Sequence, residues 1–318
     1  MCAINILSID GGGMRGILPA MILQALEAQA NRRIADIFDF FAGTSTGGII
    51  VLGLTAPNRN GNPKYTAREI LEIYQKNGGK IFSRTIFNRI RSLDFLIDER
   101  YPAKGIEGVL KNYFKDTRLK EALKPVFVTS YEIEERTPFF FRSERAIGDP
   151  EYDYPMWQVA RATSAAPTYF EPLKIPTAQK YWALIDGGVY VNNPTMCAIV
   201  EALKDKNNAS LRVLSLGTGS VKTPIRYDDA KDWGGLKWVR KILSVSFNGV
   251  SDTVNEQAKS TINAIGNNSE YFRIDCDLAP ELENLDNATA SNIRALTAVA
   301  ETLVSDNLAT IKHIAKNW

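Results

Sequence analysis

Two glycine-rich turns, each set between an apolar run and a helical pattern, constrain what the first fifty residues can form. Asp10-Gly11-Gly12-Gly13-Met14-Arg15-Gly16 follows a predicted buried strand, Ile4 to Ile9, and precedes a predicted helix, Ile17 to Ala30. Gly43-Thr44-Ser45-Thr46-Gly47 repeats this order and leads into a small-residue helix, Gly47 to Leu54. A strand, a sharp G-x-S-x-G turn and a helix predict a nucleophile elbow, which raises a serine hydroxyl at the positive end of a helix. Ser45 is therefore the candidate nucleophile.

Two later strands also end in glycine turns. Tyr181 to Ile185 leads into Asp186-Gly187-Gly188, and Leu211 to Leu216 leads into Gly217-Thr218-Gly219. Because helical patterns alternate with the strands, the chain predicts a mainly parallel α/β sheet covered on both faces. Sites in such sheets gather beyond the carboxyl ends of the strands. We therefore expect Asp10, Ser45, Asp186 and Gly217 to converge.

The remaining segments are predicted with less detail. The expected elements are a helix opening at Thr66 and ended by Gly78-Gly79, helices over Ile106 to Phe114, Trp157 to Ala166 and Thr195 to Leu203, two strands over Pro125 to Tyr131 and Pro138 to Arg142, and a long terminal helix over Ile293 to Ile311.

Phe82 to Tyr101 has no clean period and fits a flap over the site or a packed connection. Trp233 to Leu243 mixes Trp, Leu, Val and Ile with Lys237, Arg240 and Lys241, which suits a membrane surface or a core helix.

Composition excludes several classes of protein. The 38 basic and 36 acidic side chains nearly cancel, which argues against nucleic acid as a partner. Three distant cysteines suit reduced thiols, and the first residues lack the pattern of a signal peptide, so we expect a cytoplasmic protein. With 318 residues, no repeat and no linker, we expect a single domain over 1–318 whose last portion, about 230–318, is helical.

The chain offers no histidine at a position that suits the base of a serine hydrolase. The one histidine, His313, lies beside the apolar stripe of the terminal helix, where a surface or structural role is expected, so a Ser-His-Asp triad is disfavoured. Asp186 is the alternative base, and burial that raises its pKa would help it return a proton to the leaving group. The alternative interpretation is that Ser45 and Asp186 are turn residues without a catalytic role.

The first glycine loop suits an oxyanion hole. The amides of Gly11, Gly12 and Gly13 can approach a developing oxyanion closely, and the Thr46 amide adds a donor at the helix start. Arg15 would reinforce the loop or bind a phosphate group. The same loop satisfies the dinucleotide fingerprint G-x-G-x-x-G, but Asp10 would repel a pyrophosphate. The sequence has no Walker motif and no Cys/His cluster with metal-ligand spacing, so we expect neither cofactor nor metal.

Taken together, D-G-G-G-x-R-G at Asp10 to Gly16, G-x-S-x-G at Gly43 to Gly47 and D-G-G at Asp186 to Gly188 resemble the signatures of patatin-like phospholipases. Thr163 to Phe170 and Ser215 to Gly219 also resemble family segments. The resemblance implies a three-layer α/β/α lipid acyl hydrolase in which Ser45 is the nucleophile and Asp186 the base. It further implies an oxyanion-hole loop formed by Gly11, Gly12, Gly13 and Arg15. Because we expect neither a signal peptide nor a disulfide pattern, the resemblance favours an intracellular, bacterial type of this family.

The sequence therefore leads to one main hypothesis and two alternatives. The main hypothesis is a phospholipase A or lysophospholipase type enzyme that acts on phospholipids, with possible peripheral contact at the inner membrane surface and an acyl-enzyme on Ser45. The first alternative, resting on the resemblance alone, is the same hydrolase as an effector switched by a small-molecule activator, such as a cyclic-nucleotide-gated antiphage phospholipase. The second is non-catalytic lipid binding. Headgroup, chain position, acyl acceptor and oligomeric state are not specified by the sequence.

Overall fold

The computed structural model describes residues 3–81, 103–204 and 209–318, apart from the side chains of 236, 237, 239, 240 and 243. Its strands form one sheet in the order β5-β6-β3-β2-β1-β7-β8, with β4 paired to β3 outside this path. The strands are β1 (Ile4–Ile9), β2 (Phe40–Thr44), β3 (Val126–Glu132), β4 (Thr137–Arg142), β5 (Leu173–Pro176), β6 (Tyr181–Asp186), β7 (Leu211–Leu216) and β8 (Glu270–Ile274). The five strands from β3 to β8 in this order are parallel, whereas β4, β5 and β6 join antiparallel.

Helices connect most of these strands. They are α1 (Ile17–Ala30), α2 (Ile34–Ile37), α3 (Thr46–Thr55), α4 (Ala67–Ile81), α5 (Ala103–Phe114), α6 (Ser143–Gly148), α7 (Met156–Thr163), α8 (Gly188–Val191), α9 (Thr195–Lys204), α10 (Tyr227–Ala230), α11 (Gly235–Ile265), α12 (Ala290–Asp306) and α13 (Leu308–Asn317). A short 3-10 turn, Gly13–Gly16, joins the first glycine loop to α1.

The sheet is buried on both faces. In β1, Ile4 and Ile6 belong to a core cluster with α9 and α11, whereas Leu7 and Ile9 belong to a larger cluster on the opposite face. Alternate side chains of a strand point to opposite faces, so this division places helices on both sides of the sheet. The larger cluster also includes residues of α1, α3, α4, α12 and α13. The predicted three-layer α/β/α fold with a mainly parallel sheet is confirmed.

Several element boundaries differ from the predictions. The strands β5 and β8 were not predicted, and the expected terminal helix is two helices separated at Asn307, whose side-chain Nδ2 donates to the Leu303 carbonyl. α4 continues through Gly78 and Gly79, and Gly78 lies so close to Met14 that an added side-chain carbon would be 2.7 Å from Met14 Cε. α7 ends at Thr163 rather than Ala166, and the Ala165 carbonyl accepts the Asp186 amide.

Two further predictions concern the extent of the chain. The flap or connection considered for Phe82 to Tyr101 lies outside the described residues. The single domain over 1–318 stays a prediction, although α12 and α13 contribute to the core cluster that contains α1. In the part of the chain that the structure describes, no helix combines the length and the apolar character that crossing a bilayer requires.

Candidate active site

Strand β3 brings the two candidate side chains together. Thr44, the last residue of β2, is paired with Thr129, and Asp186, the last residue of β6, is paired with the next residue, Ser130. Because β2 runs parallel and β6 antiparallel to β3, and the two strands lie on either side of it, both end at the same level of β3. The Ser45 hydroxyl consequently lies beside the Asp186 carboxyl, whose pKa it lowers. Of the four residues expected to converge, Ser45 and Asp186 are thus neighbours, but Asp186 comes from an antiparallel strand.

The backbone of Ser45 has the strained conformation of a nucleophile elbow. Its φ is 53° and its ψ is −121°, and its N–H donates to Thr163 Oγ1 at 2.7 Å. The flanking glycines make this turn possible. A side-chain carbon on Gly47 would lie 2.1 Å from the Ile9 carbonyl oxygen, and one on Gly43 would lie 2.4 Å from the Gly47 carbonyl oxygen. The motif is therefore required by close backbone approach between β1, β2 and α3.

Asp186 is a buried carboxyl whose recorded hydrogen-bond donors are uncharged. It is 2% exposed, and its Oδ1 accepts the Gly188 amide at 2.7 Å. Burial raises the pKa of Asp186 to about 7, because the charged form loses hydration, while the neighbouring Ser45 hydroxyl and the Gly188 amide oppose that rise. A carboxyl with this pKa exchanges a proton readily near neutrality, which a turn aspartate in water does not.

The first glycine loop lies against Ser45, but one of its amides is already hydrogen-bonded within the protein. A side-chain carbon on Gly11 would lie 3.2 Å from Ser45 Cβ, so the loop approaches the nucleophile closely at this residue. The Gly11 N–H, however, donates to the Asn192 carbonyl at 3.1 Å, and the Gly11 carbonyl accepts from Thr218 Oγ1 at 2.6 Å. This occupied amide corrects the expectation that Gly11 is an oxyanion donor.

The other predicted amide donors have no recorded partner among the described residues. Gly12 precedes a 3-10 turn, Gly13 begins that turn, and Thr46 begins α3. Their N–H groups therefore lack an intrahelical acceptor. Gly13 has a φ of 56°, and an added side-chain carbon there would lie 2.4 Å from the Leu285 carbonyl oxygen. Gly12, Gly13 and Thr46 therefore remain the amides that suit an oxyanion.

Arg15 is a buried cation of the same loop. It is 6% exposed, its Nε has no hydrogen-bond partner among the described residues, and burial lowers its pKa. The carboxylates Asp275 and Glu283 oppose that shift. Its predicted contribution to the oxyanion hole or to phosphate binding stays a prediction.

Asp10 belongs to an ion pair that the sequence analysis missed. Arg273 donates from one terminal nitrogen to Asp10 Oδ1 at 2.9 Å and from the other to Oδ2 at 2.7 Å, and Ser251 of α11 donates to Oδ2 at 3.3 Å. Burial alone would lower the pKa of Arg273, but the Asp10 and Asp275 carboxylates outweigh it and raise that pKa above its usual value. The sequence feature that could have revealed the position of Arg273 is Glu270 to Ile274, a short aromatic and aliphatic run that predicts a strand.

Asn192 is a second residue whose position was not anticipated. Its backbone carbonyl accepts the Gly11 amide, and its Nδ2 donates to Ser251 Oγ at 3.2 Å. Its Oδ1 is buried without a hydrogen-bond partner among the described residues. A side-chain carbon on Gly188 would lie 3.1 Å from Asp186 Oδ1 and 3.2 Å from this Asn192 oxygen. Asn192 therefore connects the glycine loop with the surroundings of Asp186.

The other candidate groups lie elsewhere or form no cluster. His313 Nε2 is 2.6 Å from a carboxylate oxygen of Glu270, the first residue of β8, which places the imidazole at the opposite edge of the sheet from Ser45. Within the described ranges, no group of three or more His, Cys, Asp or Glu side chains is arranged to hold a metal ion.

Comparison with known proteins places these motifs in a family. The model of the patatin-like phospholipase family matches residues 7–199. Patatin-like protein 1 of Arabidopsis thaliana is 31% identical over 96% of this chain and 82% of its own length. A potato protein described as probable inactive patatin-3-Kuras 1 is 30% identical over 98% of this chain and 88% of its own length. The crystal structure of VipD from Legionella pneumophila aligns with a TM-score of 0.38 and 12% identity, over 94% of this chain and 67% of that one.

Proposed function

The chain belongs to the patatin-like phospholipase family, and from that premise we propose that it releases fatty acids from phospholipids through Ser45 and Asp186. Family membership supports lipid acyl hydrolysis in general. The observation that carries the narrower proposal is the placement of the Ser45 hydroxyl beside a buried carboxyl, at the same level of β3, with the pKa of that carboxyl raised to about 7. This pair supplies a nucleophile and a proton acceptor without an imidazole.

In the first half-reaction, Ser45 Oγ attacks the ester carbonyl while its proton passes to Asp186. The amides of Gly12, Gly13 and Thr46 stabilise the negative charge that develops on the carbonyl oxygen. Collapse of the tetrahedral intermediate breaks the bond to the alcohol oxygen, and Asp186 returns the proton to that leaving group. The products are the free alcohol and a fatty acyl ester on Ser45.

In the second half-reaction, a water molecule attacks the acyl-enzyme and gives its proton to Asp186. The same amides stabilise the second oxyanion, and its collapse releases the fatty acid and returns the proton to Ser45 Oγ. Because Asp186 accepts and donates a proton in each half-reaction, a pKa near neutrality suits both directions of transfer.

The test is fatty-acid release from a mixed-lipid extract, followed by mass spectrometry, for the unmodified chain and for Ser45→Ala. We expect the variant to lose at least about 10⁴-fold in rate, because it lacks the nucleophile. Ser305→Ala, an exposed serine on α12, is the matched control and should retain full activity. Full release by purified Ser45→Ala would refute the proposal, and the product masses identify headgroup and chain position.

Non-catalytic lipid binding is the competing hypothesis, and the name of the potato relative is a reason to test it. A fluorophosphonate probe reacts with an activated serine, so we expect it to label Ser45 in the unmodified chain. The Asp186→Asn variant should label more slowly, because no carboxylate accepts the Ser45 proton. An unlabelled Ser45 would favour a binding protein.

Three narrower hypotheses rest on resemblance or on sequence pattern and stay predictions. A small-molecule-activated antiphage effector predicts that a panel of cyclic nucleotides raises the rate, and a flat response would remove it. The bacterial type is a further prediction, and the two relatives cited above by identity are plant proteins. A cytoplasmic location with peripheral contact at the inner membrane surface is the third.

A further inference from the structure

The long helix α11 extends past the edge of the sheet at which Ser45 and Asp186 meet. It connects the parallel strands β7 and β8, so it runs antiparallel to them and begins at their carboxyl edge. Its 31 residues span about 46 Å, whereas the six residues of β7 span about 20 Å. The helix ends four residues before β8 at the amino edge, so its excess length projects beyond the carboxyl edge.

Contacts along α11 show where it crosses that edge. A side-chain carbon on Gly188 would lie 3.2 Å from the Phe247 ring, and Ser251 donates to Asp10. The stretch from Ser251 to Ile265 has about the length of the strands and lies over the sheet. The length and direction of the helix place the part that precedes Phe247, from Gly235 to Ser246, beyond the sheet. This part adjoins Phe247, which lies beside Gly188 in the turn that follows Asp186.

The outward face of α11 changes character along its length. At about 100° per residue, Trp238, Ile242 and Val245 lie about 140° to 200° around the helix from the buried Phe247, and they are 38%, 47% and 43% exposed. Further along, the same face carries the exposed polar residues Asp252, Glu256 and Asn263. We call Trp238, Ile242 and Val245 the α11 patch. The outward face is therefore apolar only where the helix projects beyond the sheet.

We propose that the α11 patch inserts into the surface of a phospholipid bilayer and so places the active site on its substrate. The inference rests on the proposed function, because a hydrolase of membrane lipids has to reach an ester that lies at the bilayer surface. Tryptophan and branched aliphatic side chains on one helix face suit the boundary between headgroups and acyl chains. A second copy of the chain on the patch is the alternative occupant, and the oligomeric state tests it.

The charges beside the patch indicate which force drives docking. Lys241 lies 3.0 Å from a carboxylate oxygen of Glu283, and Lys231 lies 3.0 Å from one of Asp228. Because these lysines already have carboxylate partners, they add little attraction for anionic headgroups. We expect docking to depend on apolar insertion. Vesicles of phosphatidylcholine, which carries no net charge, are the appropriate probe because they test insertion separately from charge attraction.

The experiment measures sedimentation of the full chain with phosphatidylcholine vesicles, in a Ser45→Ala background that leaves the lipid intact. Adding Ile242→Gln and Val245→Gln should raise the Kd for vesicles by about tenfold or more, because two apolar side chains no longer insert. Ile147→Gln with Val200→Gln is the matched control, since these residues are 69% and 49% exposed on other helices. The control should stay within about twofold, as should binding between about 0.15 and 0.5 M salt.

Activity measurements separate this proposal from the proposed function. With Ser45 present, the Ile242→Gln/Val245→Gln chain should hydrolyse a monomeric short-chain ester at an unchanged rate and lose about tenfold on vesicles. Equal vesicle binding by this variant and its control would overturn the docking proposal, even if Ser45 cleaves esters. Loss of vesicle binding in a chain that cleaves no ester would support docking and refute the hydrolase.

The oligomeric state provides the remaining outcome. Light scattering on the unmodified chain and on Ile242→Gln/Val245→Gln should give the same mass if the patch faces lipid. A dimer that the substitutions convert to a monomer, with vesicle binding unchanged, would show that a second copy covers the patch and would overturn the proposal.

Discussion

Asp10 and Asp186 are two buried carboxyls near the carboxyl edge of one sheet, and their partners differ in charge. Each is 2% exposed. Asp10 accepts two hydrogen bonds from the Arg273 guanidinium, whereas Asp186 accepts from the Gly188 amide and lies beside the uncharged Ser45 hydroxyl. Burial raises the pKa of Asp10 to about 6, with Arg273 opposing the rise, and raises that of Asp186 to about 7.

Under the proposed mechanism, this difference separates a carboxylate that holds structure from one that exchanges a proton. The cation beside Asp10 favours its charged form, and the pair joins the glycine loop after β1 to β8, 263 residues away in the chain. Asp186 has no cation among its recorded hydrogen-bond donors, so its charged and neutral forms are close in free energy near neutrality. We therefore expect that removing the Asp186 carboxylate lowers activity, whereas removing the cation beside Asp10 lowers stability.

The largest expected effect is on catalysis by Asp186→Asn. An amide cannot accept the Ser45 proton, so we expect kcat for fatty-acid release to fall by about 10³- to 10⁴-fold, which corresponds to about 4 to 5.5 kcal/mol in activation free energy. Single-turnover and steady-state rates on one defined phospholipid would measure the loss. Asp232→Asn, in an exposed turn, is the control. A rate within tenfold of the unmodified chain would mean that Asp186 is not the base.

The next effect is on stability, at the other carboxyl. Arg273→Met leaves Asp10 buried without its cation, and we expect the free energy of unfolding to fall by about 3 to 5 kcal/mol. Urea denaturation followed by circular dichroism measures this. Adding Asp10→Asn should restore part of the loss, because the uncompensated charge is then gone. Arg68→Met, which removes an exposed bridge to Glu72, should change stability by about 0.5 kcal/mol or less, and an equal loss there would contradict the contrast.

The sequence predicted Asp186 but not Arg273, and the reason is physical. Ser45 and Asp186 each follow an apolar run and precede glycines needed for close backbone approach, so local pattern identifies both. The partner of Asp10 comes from β8, a strand of five residues within the portion of the chain that is predicted to be helical. Its position beside Asp10 depends on the pairing of β8 with β7 and of β7 with β1, which no local pattern specifies.

The same limit applies to the fold. The first strand and helix, Ile4–Ile9 and Ile17–Ala30, were predicted at their observed bounds because hydrophobic period and turn residues agree there. The antiparallel approach of β6 was not predicted, since strand direction depends on how β3 pairs with its neighbours. Likewise, the occupied amide of Gly11 depends on Asn192, which lies 181 residues further along the chain.

A smaller effect concerns the stability of Asp186→Asn at different pH. The folded pKa of Asp186 is raised to about 7, above the unfolded value of about 3.9, so the folded chain binds the extra proton and loses stability as pH rises between these values. Asparagine does not titrate. The advantage of Asp186→Asn over the unmodified chain should therefore be larger at pH 8 than at pH 5, by about 2 to 3 kcal/mol. Urea denaturation at both pH values measures it, and an advantage independent of pH would contradict the raised pKa.

The smallest effect is the pH dependence of the unmodified enzyme. Only the charged form of Asp186 accepts the Ser45 proton, and with a pKa of about 7 that form is nearly complete at pH 8 and a minor fraction at pH 6. We expect kcat/KM on a monomeric short-chain ester to fall about tenfold from pH 8 to pH 6. Because Asp10 protonates nearby, at about 6, melting temperatures at each pH must show that the chain stays folded. An inflection near pH 4 would assign the proton transfer to a carboxylate with an ordinary pKa and would remove the distinction between the two buried acids.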